Sequence, residues 1–163
     1  ALILQGYGLI TLFTSMFLHG GFFHIIGNMW YLWIFGDNIE DKCGHFRFLI
    51  FYIFSGLAAS FMHIWFNQDS MIPTIGASGA VSGVLGAYFI RFPTARVLTA
   101  VVFIIYVTTV KVPAFFLLGF WFFYQFLFAE LSLITEATGI AYWAHVGGFV
   151  AGIPLFFILR KSS

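Results

Sequence analysis

A serine hydroxyl and a histidine imidazole, both set in apolar sequence, are the groups with which this 163-residue chain could do chemistry. Ser78 stands in Gly76-Ala77-Ser78-Gly79, at the head of a helix of small residues that continues through Gly83 and Gly86. Its hydroxyl either back-bonds to its own helix as a packing residue or lines a wet cavity as a reactive group. His145 lies on a later segment, three and seven residues before Gly148 and Gly152. A neutral imidazole within reach of a serine can take its proton and make the oxygen a nucleophile. The alternative for His145 is a buried hydrogen bond between helices. His24 and Asn28 are one turn apart and share a helix face. They could donate to an oxyanion, as the tetrahedral intermediate of acyl transfer requires, or bridge helices as polar contacts. The Ser78 N–H is a third candidate donor, because the first turn of a helix leaves its N–H groups unpaired. Of the other histidines, His19 is expected at an interface, His45 facing solvent and His63 in a structural place.

Composition decides what must hold these groups. With 61% hydrophobic residues, 8% charged, 22% aromatic and a mean hydropathy of +0.99, the chain is a polytopic membrane protein and not a soluble domain. Its seven basic residues form no patch, so nucleic acid is excluded as a partner and the lipid bilayer is implied. A lone Cys43 excludes an internal disulfide and a cysteine-rich metal site. Residues 1–20, interrupted by Gln5, Gly6, Gly8, Thr11, Thr14 and Ser15, read as an interfacial segment. Five spans are predicted: His24 to Phe35, ended by Gly36-Asp37-Asn38; Phe46 to Phe66, ended by Asn67-Gln68-Asp69-Ser70; Ala77 to Ile90; Val112 or Pro113 to Ala129; and Ala141 to Leu159. Val97–Val110 is too short to cross a bilayer and reads as an interfacial loop or strand. Lys42, Arg47, Arg91, Arg96, Lys111, Arg160 and Lys161 then all fall on one side, which the positive-inside rule makes the cytoplasmic one.

Depth follows from helix rise. From Arg91 back to Ser78 is thirteen residues, about 20 Å of helix, which leaves Ser78 about 10 Å below the outer face of a hydrocarbon core of about 30 Å. Counting from Arg160 to His145 and from Asp37 to His24 gives nearly the same height, about 20 Å from the inner boundary. The glycine faces carrying Gly79 and Gly83 on one helix and Gly148 and Gly152 on the other can pack closely, which would bring the imidazole to the hydroxyl.

Together Gly76-Ala77-Ser78-Gly79, the upstream His19…His24-xxx-Asn28 and the downstream Ala144-His145-Val146-Gly147-Gly148-Phe149-xx-Gly152 resemble the rhomboid intramembrane serine proteases over residues 9–159. Gly36-Asp37-Asn38-Ile39-Glu40-Asp41-xx-Gly44 looks like the bacterial branch. The resemblance implies an all-α polytopic bundle with a six-helix core, and a Ser–His dyad that cleaves transmembrane-helix substrates near the extracytoplasmic surface of a bacterial inner membrane. Ser78 would be the nucleophile and His145 the general base, with His24, Asn28 and the Ser78 amide as the oxyanion hole. Single-span transmembrane proteins would be the substrates, and no cofactor or metal is implied. No carboxylate is expected within a span, with Asp37, Glu40 and Asp41 in an inner loop and Asp69, Glu130 and Glu136 in outer ones.

Two features depart from the family pattern. The chain opens at Ala1 without Met or a cationic n-region, and the family's first transmembrane helix is absent. The expectation is therefore one rhomboid-like domain over residues 1–163, truncated or trimmed, with five helices of the six. Ser82 also stands where many relatives have an aromatic residue against the catalytic histidine. By resemblance, the aromatic run Phe115–Tyr124 is a candidate gate and Glu130–Gly139 a candidate lid; otherwise they are a lipid-facing helix and a connector. The rivals are a helix-binding relative without activity and a transporter, the latter disfavoured by spans without acidic residues or an inverted repeat. A soluble-hydrolase elbow fails, because Ala80 stands where GxSxG needs its second glycine.

Overall fold

The computed structural model describes residues 8–68, 74–103, 105–135 and 140–161. The expectations for Gln5, Gly6, Asp69, Ser70, Pro73 and the 136–139 part of the outer loop fall outside these residues. The described order is α1 (Leu9–Thr14), a short 3-10 turn (Ser15–Phe17), α2 (Phe22–Cys43), α3 (His45–Phe66), α4 (Ser78–Arg91), β1 (Arg96–Phe103), β2 (Tyr106–Pro113), α5 (Ala114–Thr135) and α6 (Tyr142–Leu159).

The molecule is mostly helical, but it is not all-α. The stretch from Val97 to Val110 lies within an antiparallel hairpin, with Arg96 opposite Pro113 and Phe103 opposite Tyr106. Leu98, Val102, Ile105 and Val107 of this hairpin are exposed. Among the described residues three helices, α3, α5 over residues 114–133 and α6, are long and apolar enough to cross a membrane. The segment before α2, residues 10–17, bends away from it by 90°, and this pair adds a fourth candidate crossing only if the two helices count as one broken span. At 14 residues α4 falls below the length expected of a full crossing.

Two predicted boundaries move. α2 does not stop at Gly36-Asp37-Asn38 but runs on to Cys43, because Phe35, Ile39 and Cys43 recur one turn apart and are all buried. That apolar stripe outweighs three turn-prone residues, and Gly36 is buried within it. Asp37, Glu40 and Asp41 therefore lie on a helix. α5 likewise continues past Ala129, which is buried against Tyr142, Trp143 and Val146 of α6, so Glu130 is helical and not in a loop.

Packing centres on α4, whose residues from Gly79 to Tyr88 are all buried and which touches α2, α3, α5 and α6. Lipid is as apolar as the core, so close contact rather than water exclusion must hold these helices together. The glycines allow it. A Cβ on Gly148 or Gly152 would sit on the carbonyl of Gly79 or Gly83, and one on Gly86 would sit on that of Phe149. The expected glycine-to-glycine seam is two-sided: the Cα hydrogens of Gly79 and Gly83 face Ala59 and Ser55 of α3, while their carbonyls meet α6. At the end of the bundle that carries the basic residues, the Lys161 N–H donates to the Lys42 carbonyl (2.8 Å) and Arg47 reaches the Arg160 carbonyl (3.3 Å), tying the end of α6 to the α2–α3 turn. A dry cluster of Phe35, Ile39, Phe51, Leu85, Leu118 and Phe156 fills that half of the bundle.

Candidate active site

Above this cluster lies a cavity of about 980 Å³ with Leu85 in its wall. The C-terminal end of α3, the N-terminal end of α6, the approach to α4 at Thr74 and Ile75, and the start of α2 surround it. Ser78, His145, His24 and Asn28 all line it.

Local backbone geometry sets the serine. Gly76 has φ +117°, a left-handed conformation that lets the chain turn beneath the His24 ring before α4 begins. A Cβ there would lie 2.6 Å from His24 Nε2. Ser78 opens α4, so its N–H precedes the helical ladder and has no backbone acceptor among the described residues. Its Oγ lies 2.9 Å from His145 Nε2. The close passage of Gly148 and Gly152 over the carbonyls of α4 brings the His145 turn this near.

His24 has its ring nitrogens in different settings. The Gly20 N–H donates to Nδ1 (3.4 Å), which leaves Nε2 with the proton and aims it at the Gly76–Ser78 turn. The amide of Asn28 donates one hydrogen to the His24 carbonyl (3.0 Å) and keeps a second. Side by side on α2, these groups can offer two N–H donors to an oxygen in the cavity.

Ser82, at the position where an aromatic residue was expected by resemblance, donates instead to the Ser78 carbonyl (2.6 Å). Aromatic contact with His145 comes from Trp121 of α5, at 6.0 Å between ring centres, and from the edge of Tyr142 at 6.5 Å. Sequence reasoning missed Gln125. It is 7% exposed, and its Oε1 accepts from His145 Nδ1 at 2.7 Å. The only signal was an amide in the apolar run of α5, one turn after Trp121. No described carboxylate lines the cavity.

The remaining histidines sort differently from expectation in part. His19 meets the ring of His24 edge-on, at 5.2 Å between ring centres. His63 lines the cavity wall. His45 is exposed as expected, but it opens α3 and meets Glu40 Oε1 at 2.7 Å.

Residues 7–162 match the family model described as the Rhomboid domain. Curated relatives include RHOMBOID-like protein 6, mitochondrial, of Arabidopsis thaliana, which is 34% identical over 96% of this chain and 46% of its own length. Rhomboid protein 1, mitochondrial, of Saccharomyces cerevisiae is 31% identical over 94% of this chain and 42% of its own. RHOMBOID-like protein 1 of Arabidopsis thaliana is 28% identical over 97% of this chain and 36% of its own. The chain thus spans less than half the length of each of these relatives.

Proposed function

The chain belongs to the rhomboid family of multi-pass membrane proteins, and from that premise we propose that it is an intramembrane serine endopeptidase with Ser78 as nucleophile and His145 as general base. The observation that carries this reading is the 2.9 Å approach of Ser78 Oγ to His145 Nε2 on the wall of a cavity large enough for an extended peptide segment. In the reaction His145 takes the hydroxyl proton as Oγ attacks a peptide carbonyl. The oxyanion receives hydrogen bonds from the Ser78 N–H, His24 Nε2–H and the free Asn28 N–H. His145 then protonates the leaving amine, and water admitted to the cavity releases the acyl group by the same steps.

The substrates in this reading are single-span transmembrane proteins. A helix in lipid has its peptide groups paired internally, so cleavage favours segments that unwind readily near the outer surface. The reading takes α2 to α6 as five crossings of a rhomboid core and sets the cavity on the extracytoplasmic side. Two of the relatives named above are mitochondrial by name, and a bacterial inner membrane draws no support from them.

The test incubates detergent-solubilised protein with a single-span reporter and with a fluorophosphonate probe, comparing it with Ser78→Ala and His145→Ala. Cleavage and labelling that vanish in Ser78→Ala and collapse in His145→Ala are the expected result. Cleavage unchanged by Ser78→Ala overturns the assignment. Reporter binding without cleavage by any form would make the chain a helix-binding member of the family.

A further inference from the structure

We propose that Gln125 is a positioning residue, holding the His145 imidazole in the one tautomer that can accept the Ser78 proton. The inference rests on the reading of Ser78 and His145 given above and adds a member to it.

A neutral imidazole has one N–H and one lone pair, and the partner of either nitrogen decides which is which. Gln125 Oε1 can only accept, so His145 Nδ1, at 2.7 Å, carries the proton. The lone pair is thereby left on Nε2, the atom 2.9 Å from Ser78 Oγ. Without Gln125 nothing described on the far side of the ring accepts from Nδ1, and the proton is free to move to Nε2, where it blocks the hydroxyl. The bond also crosses between helices, from α5 to α6. Trp121, one turn before Gln125, presents its ring to the same imidazole, so a single face of α5 limits both rotation and tautomer.

An amide suits this depth better than a carboxylate. No lysine or arginine among the described residues lines the cavity, so a buried carboxylate there would be an uncompensated charge. A neutral acceptor orients the ring without that penalty. It lends the imidazolium no full negative charge in return, so its effect is on alignment.

The test uses the full chain in detergent. Gln125→Met keeps the length of the side chain and removes the acceptor, whereas Gln125→Glu keeps the acceptor. The Met variant is expected to lose about tenfold or more in kcat, the equivalent of one aligning hydrogen bond, with KM within about twofold of the parent. Fluorophosphonate labelling of Ser78 should slow in parallel, and the Glu variant, which keeps an acceptor only at the cost of an uncompensated buried charge, should recover part of both, and more as rising pH ionises its carboxyl. Nitrogen-15 spectra of labelled histidine should show the Nδ1–H tautomer for His145 in the parent and a mixture in the Met variant. An Nε2–H tautomer in the parent, or a Met variant that labels Ser78 at the parent rate, overturns the proposal. A parent that neither cleaves nor labels overturns the protease reading instead. The tautomer spectrum, which needs no turnover, then still decides what Gln125 does.

Discussion

In the proposed reaction His24 and Asn28 act through hydrogens that have no acceptor among the described residues, so each can be removed with a different expected consequence. Asn28→Ala should lower kcat by roughly a hundredfold with KM little changed, the pattern of a donor that acts on the transition state; an unchanged kcat would take Asn28 out of the oxyanion hole. Gly76→Ala should act on His24 indirectly, since the new methyl would lie 2.6 Å from Nε2 at a φ of +117° that side chains rarely adopt. Strain of this sort costs about 1–3 kcal/mol, so both the melting temperature and kcat should fall. The four residues proposed from sequence were legible because helical spacing and rise put them on facing segments at one height, and the structure has them around one cavity. Gln125 was not legible. One amide in an apolar helix has no periodic partner, and only tertiary packing decides which way α5 is turned.

Helices hold the site through contacts that leave no room for a methyl group. Gly148→Ala and Gly152→Ala each put a methyl onto a carbonyl of α4, and overpacking of this kind costs about 1–3 kcal/mol or more. Their melting temperatures in detergent should drop, and labelling of Ser78 should fall with them. Gly27→Ala is the control, because open space surrounds a Cβ there and alanine favours a helix by up to about 1 kcal/mol; it should melt no lower than the parent. Most helix interiors could be read from sequence, but two ends could not. Gly36-Asp37-Asn38 looks like a turn until the burial of Phe35, Ile39 and Cys43 on one face is known, and a local turn signal carries no information about that face. For the hairpin, the β-branched run from Val97 to Val110 suggested a strand, while its register appears only in the pairing.

The described part of the molecule has two unlike ends, one that holds the cavity with its polar side chains and one filled by aromatic and aliphatic side chains. The proposed topology orients these ends by the distribution of basic residues, and it can be tested. Cys43 is the one cysteine in the sequence, so a Cys43→Ser background carries no thiol and should be silent to maleimides. In it, Thr74→Cys should react with an impermeant reagent added outside, and Lys111→Cys only with reagent that reaches the cytoplasmic side. Reaction of both from one side would overturn the proposed topology. Stiffness is also unevenly shared. α4 and α6 meet backbone to backbone and cannot part without losing that seam. α5, by contrast, turns Phe116, Phe120 and Phe123 outward and bears Gln125 on its inner side. Were α5 to swing aside to admit a substrate, it would take the acceptor away from His145 at the same moment. A molecule standing ajar would then be disarmed, and only reclosure would cock it again, a safety catch against stray hydrolysis of neighbouring proteins.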